Sequence, residues 1–204
     1  MRRVNPNAIK NVTPYVIVAP VRIGMVVQAL QASLGTLTWL TKSFGRAIKM
    51  SEKRKDDNYI FPAMFVSSSK DHLNMLELDN WNAYSFMFSD DAETVENYEK
   101  GFRNLYKRKL SIMFWMNLDK IDNTKEGNQH LEELKEEILA KIGTTVYTDS
   151  AGSGAVQDVE VMEIFEKPEN VFSEFSFEET ETQFLYPPYR GIRIDLDCFY
   201  IAEC

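Results

Sequence analysis

The sequence predicts an α+β fold, with a mostly antiparallel β-sheet, helices packed on it and a long N-terminal helix. Two observations support this fold class. Apolar residues alternate with a period of two at 110–118 and 192–200, a period typical of strands. Apolar residues recur at steps of three and four at 27–48 and 131–142, which is typical of amphipathic helices.

Length and charge bound the domain organisation. With 204 residues, 44% of them hydrophobic, the chain can bury a core as one domain. We expect this domain at 21–204, after an N-terminal arm at 1–20. Residues 1–118 carry 16 basic and 11 acidic side chains (+5), and residues 119–204 carry 7 basic and 20 acidic ones (−13). This asymmetry disfavours nucleic-acid binding by the second half and favours a contact between oppositely charged surfaces.

Cysteine content and hydropathy indicate a cytoplasmic protein. Cys198 and Cys204 make no disulfide framework, and a strand would separate them by roughly 20 Å at about 3.3 Å per residue. A reducing compartment is therefore expected. Residues 23–41 carry no charge, but two glutamines and several hydroxyls argue against a membrane span. The polar residues after Arg2 and Arg3 do not resemble a signal peptide.

The first elements are predicted from proline and from the helical period. In the arm, TPYVIVAP at 13–20 favours a short edge strand between two prolines. A helix is expected from about Arg22 to Ile48, although three glycines weaken it. Its apolar stripe consists of Val27, Leu30, Leu34, Leu37, Thr41, Phe44 and Ile48. The stripe could pack on the sheet of its own chain or on a neighbouring subunit.

The next stretch alternates strands, loops and one helix. A solvated loop is expected at 51–58, followed by an edge strand at Tyr59–Val66, since Pro62 lacks a backbone donor. A strand follows at Trp81–Phe88, and a helix at about 90–100 is expected because Ser89 can cap it and Gly101 can end it.

The strand Leu110–Leu118 is expected in the middle of the sheet, and the same alternation reaches back through Tyr106 to Phe102, which favours a longer strand. The basic cluster Lys107–Lys109 beside Tyr106 has two interpretations, a nucleic-acid patch or a solvated strand end, and we favour the second.

The C-terminal half alternates helix and strand. After a loop at 119–127, a helix is expected at 128–142 with the stripe Leu131, Leu134, Ile138 and Ile142. A loop at 148–157 precedes a strand at 159–165 and a helical turn at 168–175. An acidic connection then leads to a final strand at 191–201.

Three short motifs match known catalytic or metal-binding motifs only in part. Ser67–Lys70 has the S-x-x-K spacing of serine acyl-transferases but lacks their other elements, so a polar loop is the better interpretation. His130 beside glutamates has no second placed metal ligand. Asp195 and Asp197 form a D-x-D pattern without a nucleotide-binding context. The sequence therefore predicts no catalytic, cofactor-binding or metal residue, and no enzyme.

Three segments carry a resemblance to phage proteins. LSIMFWMNLDKI, LEELKEEIL and YPPYRGIRIDLDCFY are similar to segments of uncharacterised prophage-encoded proteins of gut Bacteroidetes. Over roughly 55–204, the order of strands and helices resembles the tail-terminator and head-to-tail connector proteins of tailed bacteriophages. The resemblance implies a structural virion protein that forms a homo-oligomeric ring at the tail end or head–tail junction. It also implies no cofactor, contacts with other tail or connector proteins, and assembly in the bacterial cytoplasm before incorporation into the virion.

The candidate subunit interface joins the apolar stripe to the acidic strand. Its residues are Val27, Leu30, Leu34, Leu37, Phe44, Asp195 and Asp197. The alternative function is a monomeric small-molecule or glycan-binding module that would use exposed aromatic residues at Trp81, Trp115 and Tyr189.

Overall fold

The computed structural model describes residues 12–54, 57–66, 71–77, 81–89, 93–96, 103–147, 156–176 and 187–203. The strands in these ranges are β1 (Lys42–Arg54), β2 (Asp57–Val66), β3 (Asp71–Asn74), β4 (Ala83–Phe88), β5 (Thr94–Glu96), β6 (Arg103–Asn117), β7 (Val156–Phe165) and β8 (Tyr189–Glu203). The α-helices are α1 (Ile23–Leu34), α2 (Leu118–Asp122), α3 (Gly127–Thr144) and α4 (Pro168–Val171), and Met75–Glu77 form a 3₁₀ turn.

The described strands form one sheet in the order β3-β2-β1-β4-β6-β8-β7, and β5 pairs with the start of β6. The pair β1–β4 is parallel, and the other neighbours are antiparallel. The longest ladder joins β6 to β8 from Arg103 opposite Glu203 to Asn117 opposite Tyr189. The middle of the sheet therefore joins segments that are far apart in sequence.

The predicted fold class is wrong. The described structure is dominated by a mixed eight-stranded sheet, with 47% strand and 27% helix, because β1 pairs in parallel with β4. The first helix is short, not long, since it ends at Leu34. Within the described part of the chain, no helix is long and apolar enough to cross a membrane.

The predicted helix at 22–48 ends at Leu34, just before Gly35, and its second half is a strand. The Gly35 N–H bonds the Gln31 carbonyl at 3.0 Å, and a turn then leads into β1. Phe44 lies in β1, where its ring meets Trp81 with centroids 5.5 Å apart. Apolar residues still recur at steps of three and four after Gly35, although the chain is no longer helical there. An alternating strand also places residues four apart on one face, so this spacing does not distinguish the two structures.

The predicted central strand at 110–118 is confirmed within β6, which lies between β4 and β8. Its even-numbered residues, including Phe114, face one core, and Met113 and Trp115 face a second core on the opposite side of the sheet. Every residue from Leu110 to Leu118 is buried. The strand is thus covered on both faces, whereas the alternation predicted only one.

The first core lies between the sheet and the helices α1 and α3. Val26, Leu30 and Ile138 are fully buried there against the β6 and β8 side chains Ile112 and Ile194. We call this side of the sheet the first face. The predicted helix at 128–142 is confirmed as α3, and its predicted stripe is buried in this core.

The second core lies on the other side, the second face. Met64 of β2, Leu73 of β3 and Phe172, which follows α4, pack there with Phe86 and Trp115. The second core thus contains side chains of β2 and β3 as well as of the central strands β4 and β6.

Several predicted boundaries are corrected. Residues 12–20 form no strand, and their carbonyls at Tyr15 and Ile17 accept bonds of 3.1 Å from the side chains of Gln31 and Gln28. The predicted loop at 51–58 lies largely within β1 and β2.

Two further corrections concern strand position and type. Tyr59–Val66 is a strand but not an edge, because β3 pairs with its Ala63–Val66 half and leaves Pro62 outside that ladder. The predicted helix at 90–100 is wrong at Thr94–Glu96, which pairs with β6; residues 90–92 and 97–100 lie outside the described part.

The remaining predictions concern residues 119–201. The loop at 119–127 contains the helix α2. The strands at 159–165 and 191–201 are confirmed within β7 and β8, and the turn at 168–175 begins with α4. The loop at 148–157 lies outside the described residues except where β7 begins.

Candidate functional site

The apolar part of the predicted interface lies in the chain's own cores. Its residues are at most 5% exposed: Val27, Leu30, Leu34, Leu37 and Phe44. In this conformation they offer no surface to a second subunit, because α1 packs directly on the sheet and on α3.

The two aspartates of the predicted interface are paired within the sheet. Asp195 accepts two bonds from Arg193, at 2.7 and 3.1 Å. Asp197 is 2% exposed, and its Oδ2 lies 2.7 Å from Nζ of Lys107 on β6, whereas its Oδ1 has no hydrogen-bond partner. The D-x-D pattern therefore reflects two ion pairs in a sheet.

The other candidate residues that the structure describes are mostly buried. His130 is 2% exposed in α3, and Trp81 and Trp115 are 5% and 6% exposed in the second core. The buried tryptophans remove the exposed aromatic surface on which the ligand-binding alternative depended, and Tyr189 is only half-exposed against Trp115. Ser67–Lys70 lies outside the described residues. Among the described residues, no three His, Cys, Asp or Glu side chains are grouped to hold a metal ion.

A polar cavity of about 300 Å³ opens on the second face beside β6 and β8. Its lining residues are Phe88, Ser89, Lys109, Ser111, Glu174, Arg193 and Asp195.

The charges of this cavity largely neutralise one another. Glu174 lies 3.2 Å from both Lys49 and Arg193. Burial lowers the pKa of Arg193, but the hydrogen bonds and charges of Asp195 and Glu174 outweigh burial, so that its pKa is raised. The arrangement thus fixes the loop after α4 to the sheet.

Two arginines converge at the end of β4 on the first face, and we call them the arginine pair. Nη2 of Arg46 on β1 donates to the Ser89 carbonyl at 3.1 Å, and Nε of Arg108 on β6 donates to the Ser89 hydroxyl at 2.9 Å. Partial burial, and then the charge of Arg108, lower the pKa of Arg46. In the described ranges no carboxylate forms an ion pair with either arginine.

The nearby carboxylate Glu93 is already engaged. Its Oε1 lies 2.9 Å from Nη1 of Arg22, and its Oε2 accepts a 2.6 Å bond from the Tyr200 hydroxyl. The guanidinium of Arg22 lies over the Tyr106 ring at 4.9 Å. Glu93 is therefore paired with Arg22 and Tyr200, and among the described residues it forms no ion pair with the arginine pair.

The outer edge of β7 has no neighbouring strand in the described chain. Val161, Met162 and Ile164 are 42%, 54% and 38% exposed along it. The acidic side chains of this strand are also exposed, and none forms an ion pair within the described ranges; we call Asp158, Glu160 and Glu163 the acidic edge. An unpaired strand with exposed apolar residues is a site where another chain can add.

Sequence reasoning missed both of these charged surfaces. The alternation of acidic and apolar residues in DVEVMEI at 158–164 was the available signal for an exposed strand. No signal was available for the arginine pair, because Arg46 was placed on a helix and Arg108 joins it only through the order of the strands.

In comparisons with known proteins, no family model and no curated protein matches this chain.

Proposed function

We propose that this protein is a structural subunit of a tailed bacteriophage that assembles into a homo-oligomeric ring at the tail end or head–tail junction. Under this proposal it is made in the cytoplasm of the bacterial host, enters the virion and contacts other tail or connector proteins. The resemblance of LSIMFWMNLDKI, LEELKEEIL and YPPYRGIRIDLDCFY to prophage-encoded proteins supports the phage assignment.

The observation that carries the assembly part of the proposal is the unpaired edge of β7. Stable monomers protect a long edge strand with bulges, charges or a covering segment, because free N–H and C=O groups recruit another strand. β7 has ten residues, and although its register is irregular between Val156 and Asp158 and between Val161 and Glu163, Val161, Met162 and Ile164 expose apolar surface along it. A neighbouring subunit would cover this surface.

The acidic side chains of β7 explain how such an edge would select its partner. Asp158, Glu160 and Glu163 repel a second copy of the same strand, since like charges placed directly opposite destabilise an antiparallel pair. The contact is therefore expected to join β7 to a different part of the next subunit. Contacts of this head-to-tail type close into a ring when the rotation allows it.

The experiment is to compare the wild-type protein with a Met162→Lys/Ile164→Lys variant. We expect wild-type protein to form concentration-dependent oligomers by light scattering and rings by negative-stain microscopy. Lysines on an edge strand oppose strand addition, so we expect the variant to remain monomeric with an unchanged circular dichroism spectrum.

Val146→Lys is the matched control, because Val146 is 72% exposed outside the sheet and the same chemical change there should leave assembly intact. Wild-type protein that stays monomeric at high concentration, both alone and with purified tail-tube or connector protein, would contradict the proposed function.

A further inference from the structure

Two charged surfaces of this chain lack opposite charges of their own. The arginine pair has no carboxylate partner in the described ranges, and the acidic edge has no cationic one. Arg46 is exposed and Arg108 is half-buried, so both can reach a second molecule. All three carboxylates of the acidic edge are exposed as well.

The two surfaces cannot neutralise each other within one chain. Arg108 lies opposite Cys198, whose side chain is in the first core, so Arg108 belongs to the first face. Glu160 lies opposite Asp197, one residue before Cys198, and so belongs to the second face. Four strand intervals separate Arg46 on β1 from β7, roughly 19 Å at about 4.8 Å each, and two intervals, roughly 10 Å, separate Arg108 on β6 from β7. Because the two surfaces lie on opposite faces of the sheet, the charges of both are left for another molecule.

The donor geometry of the arginine pair suits carboxylates. A guanidinium carries five N–H donors, and each arginine of the pair has one hydrogen bond, to Ser89, among the described contacts. The remaining donors can bind carboxylates in the two-bond geometry that arginine favours. A carboxylate between the two guanidiniums would also offset the repulsion that lowers the pKa of Arg46.

We propose that the acidic edge of one subunit docks on the arginine pair of the next subunit, with Glu160 and Glu163 as the main carboxylates. This inference rests on the proposed homo-oligomer and names its contact. The contact joins two different surfaces, which is the arrangement that a ring requires.

Two charge-reversal variants test the contact. One is Arg46→Glu/Arg108→Glu, and the other is Glu160→Arg/Glu163→Arg. Each variant presents two surfaces of the same sign, so each alone is expected to associate about 100-fold more weakly than wild type or worse. When the two variants are mixed in equal amounts, every contact pairs opposite charges again, and we expect association to return to within about tenfold of wild type.

Glu136→Arg/Glu169→Arg is the matched control, because both glutamates are exposed and lie on the helices α3 and α4 rather than on β7. It should assemble as wild type does, and circular dichroism should show that all variants are folded. Wild-type protein that assembles while both reversed variants assemble equally well would overturn this contact and leave the proposed function standing. Variants that fail alone and also fail when mixed would overturn the pairing of these two surfaces. Wild-type protein that never assembles would overturn the proposed function itself.

Discussion

At the scale of single residues, the middle of β6 determines how tightly the molecule is packed. Phe114 is fully buried in the first core, where its ring lies 6.5 Å from that of Trp39. Its strand neighbours Met113 and Trp115 are buried on the other side. A substitution here affects the packing of both cores, because protein interiors leave little room to relax.

Phe114→Ala is expected to lower the free energy of unfolding by about 3–5 kcal/mol, since a large side chain is removed from a packed core. Denaturant titration followed by circular dichroism measures the change. Phe65→Ala is the control. Because Phe65 is 41% exposed, this substitution should lower the free energy of unfolding far less. Equal midpoints for wild type and Phe114→Ala would show that Phe114 is not in the core.

Replacement by alanine is expected to have opposite effects on stability at two glycines. A Cβ on Gly191 would lie 3.0 Å from side-chain atoms of both Val171 and Phe172, so Gly191→Ala should destabilise by about 1–3 kcal/mol. Gly143 in α3 has nothing within 4 Å of the same position, and Gly143→Ala should stabilise by up to about 1 kcal/mol. The unfolding temperatures of both variants, compared with that of the wild type, show whether each substitution stabilises or destabilises the protein. Effects of equal sign would contradict the packing described for Gly191.

At the scale of elements, the start of α3 is fixed by a carboxylate. The side chain of Glu126 accepts bonds from the backbone N–H groups of Gln129 and Asn128, at 2.9 and 3.0 Å. Both bonds lower the pKa of Glu126, and the bond from Gln129 has the larger effect. The helix is thus capped by the ionised form of the side chain.

Glu126→Ala is expected to lower the unfolding temperature at neutral pH. Because the folded state lowers the pKa of Glu126, its stabilising effect is present above the ordinary glutamate pKa. That effect is lost as the pH falls through the lowered value. The difference between wild type and variant should therefore narrow in acid, as thermal melts over a range of pH would show. A difference that stays constant in acid would contradict the cap.

The elements that the sequence predicted correctly are those with one strong local pattern. α3 has an uninterrupted stripe, and β6 and β8 alternate over many residues. The segment 35–54 was missed because its apolar spacing fits both a helix and a bulged strand. Only the contacts of β1 with β4 and β2 decide between them. Thr94–Glu96 was missed because its partner in β6 makes it a strand against the local capping signal.

The candidate site was less predictable than the fold. The sequence placed Asp195 and Asp197 on the final strand, but the strand ladder sets Asp197 beside Lys107, where it is buried. The arginine pair comes from β1 and β6, which local patterns cannot bring together. The charge asymmetry of the two halves predicts a contact between oppositely charged surfaces, and this stays a prediction. The surfaces to which we assign that contact depend on the order of the strands.

At the scale of the whole molecule, this charge asymmetry predicts how assembly responds to salt. If oppositely charged surfaces meet, the association rate should fall as salt rises from about 0.05 to 0.5 M, because screening shortens the range of attraction below about 10 Å. Stopped-flow light scattering measures this rate. The Glu136→Arg/Glu169→Arg control should keep the dependence, and a rate that does not change with salt would contradict electrostatic steering.

The position of β8 has a consequence for synthesis on the ribosome. β8 is the last described strand in chain order, yet it lies between β6 and β7. While a nascent chain still lacks residues 189–203, β6 and β7 each carry an unpaired inner edge, and the first core lacks Ile192, Ile194 and Leu196. Such chains expose strand edges and apolar surface that favour aggregation. The sheet is therefore completed only after nearly all of the described chain has left the ribosome, and β7 must wait for its neighbour.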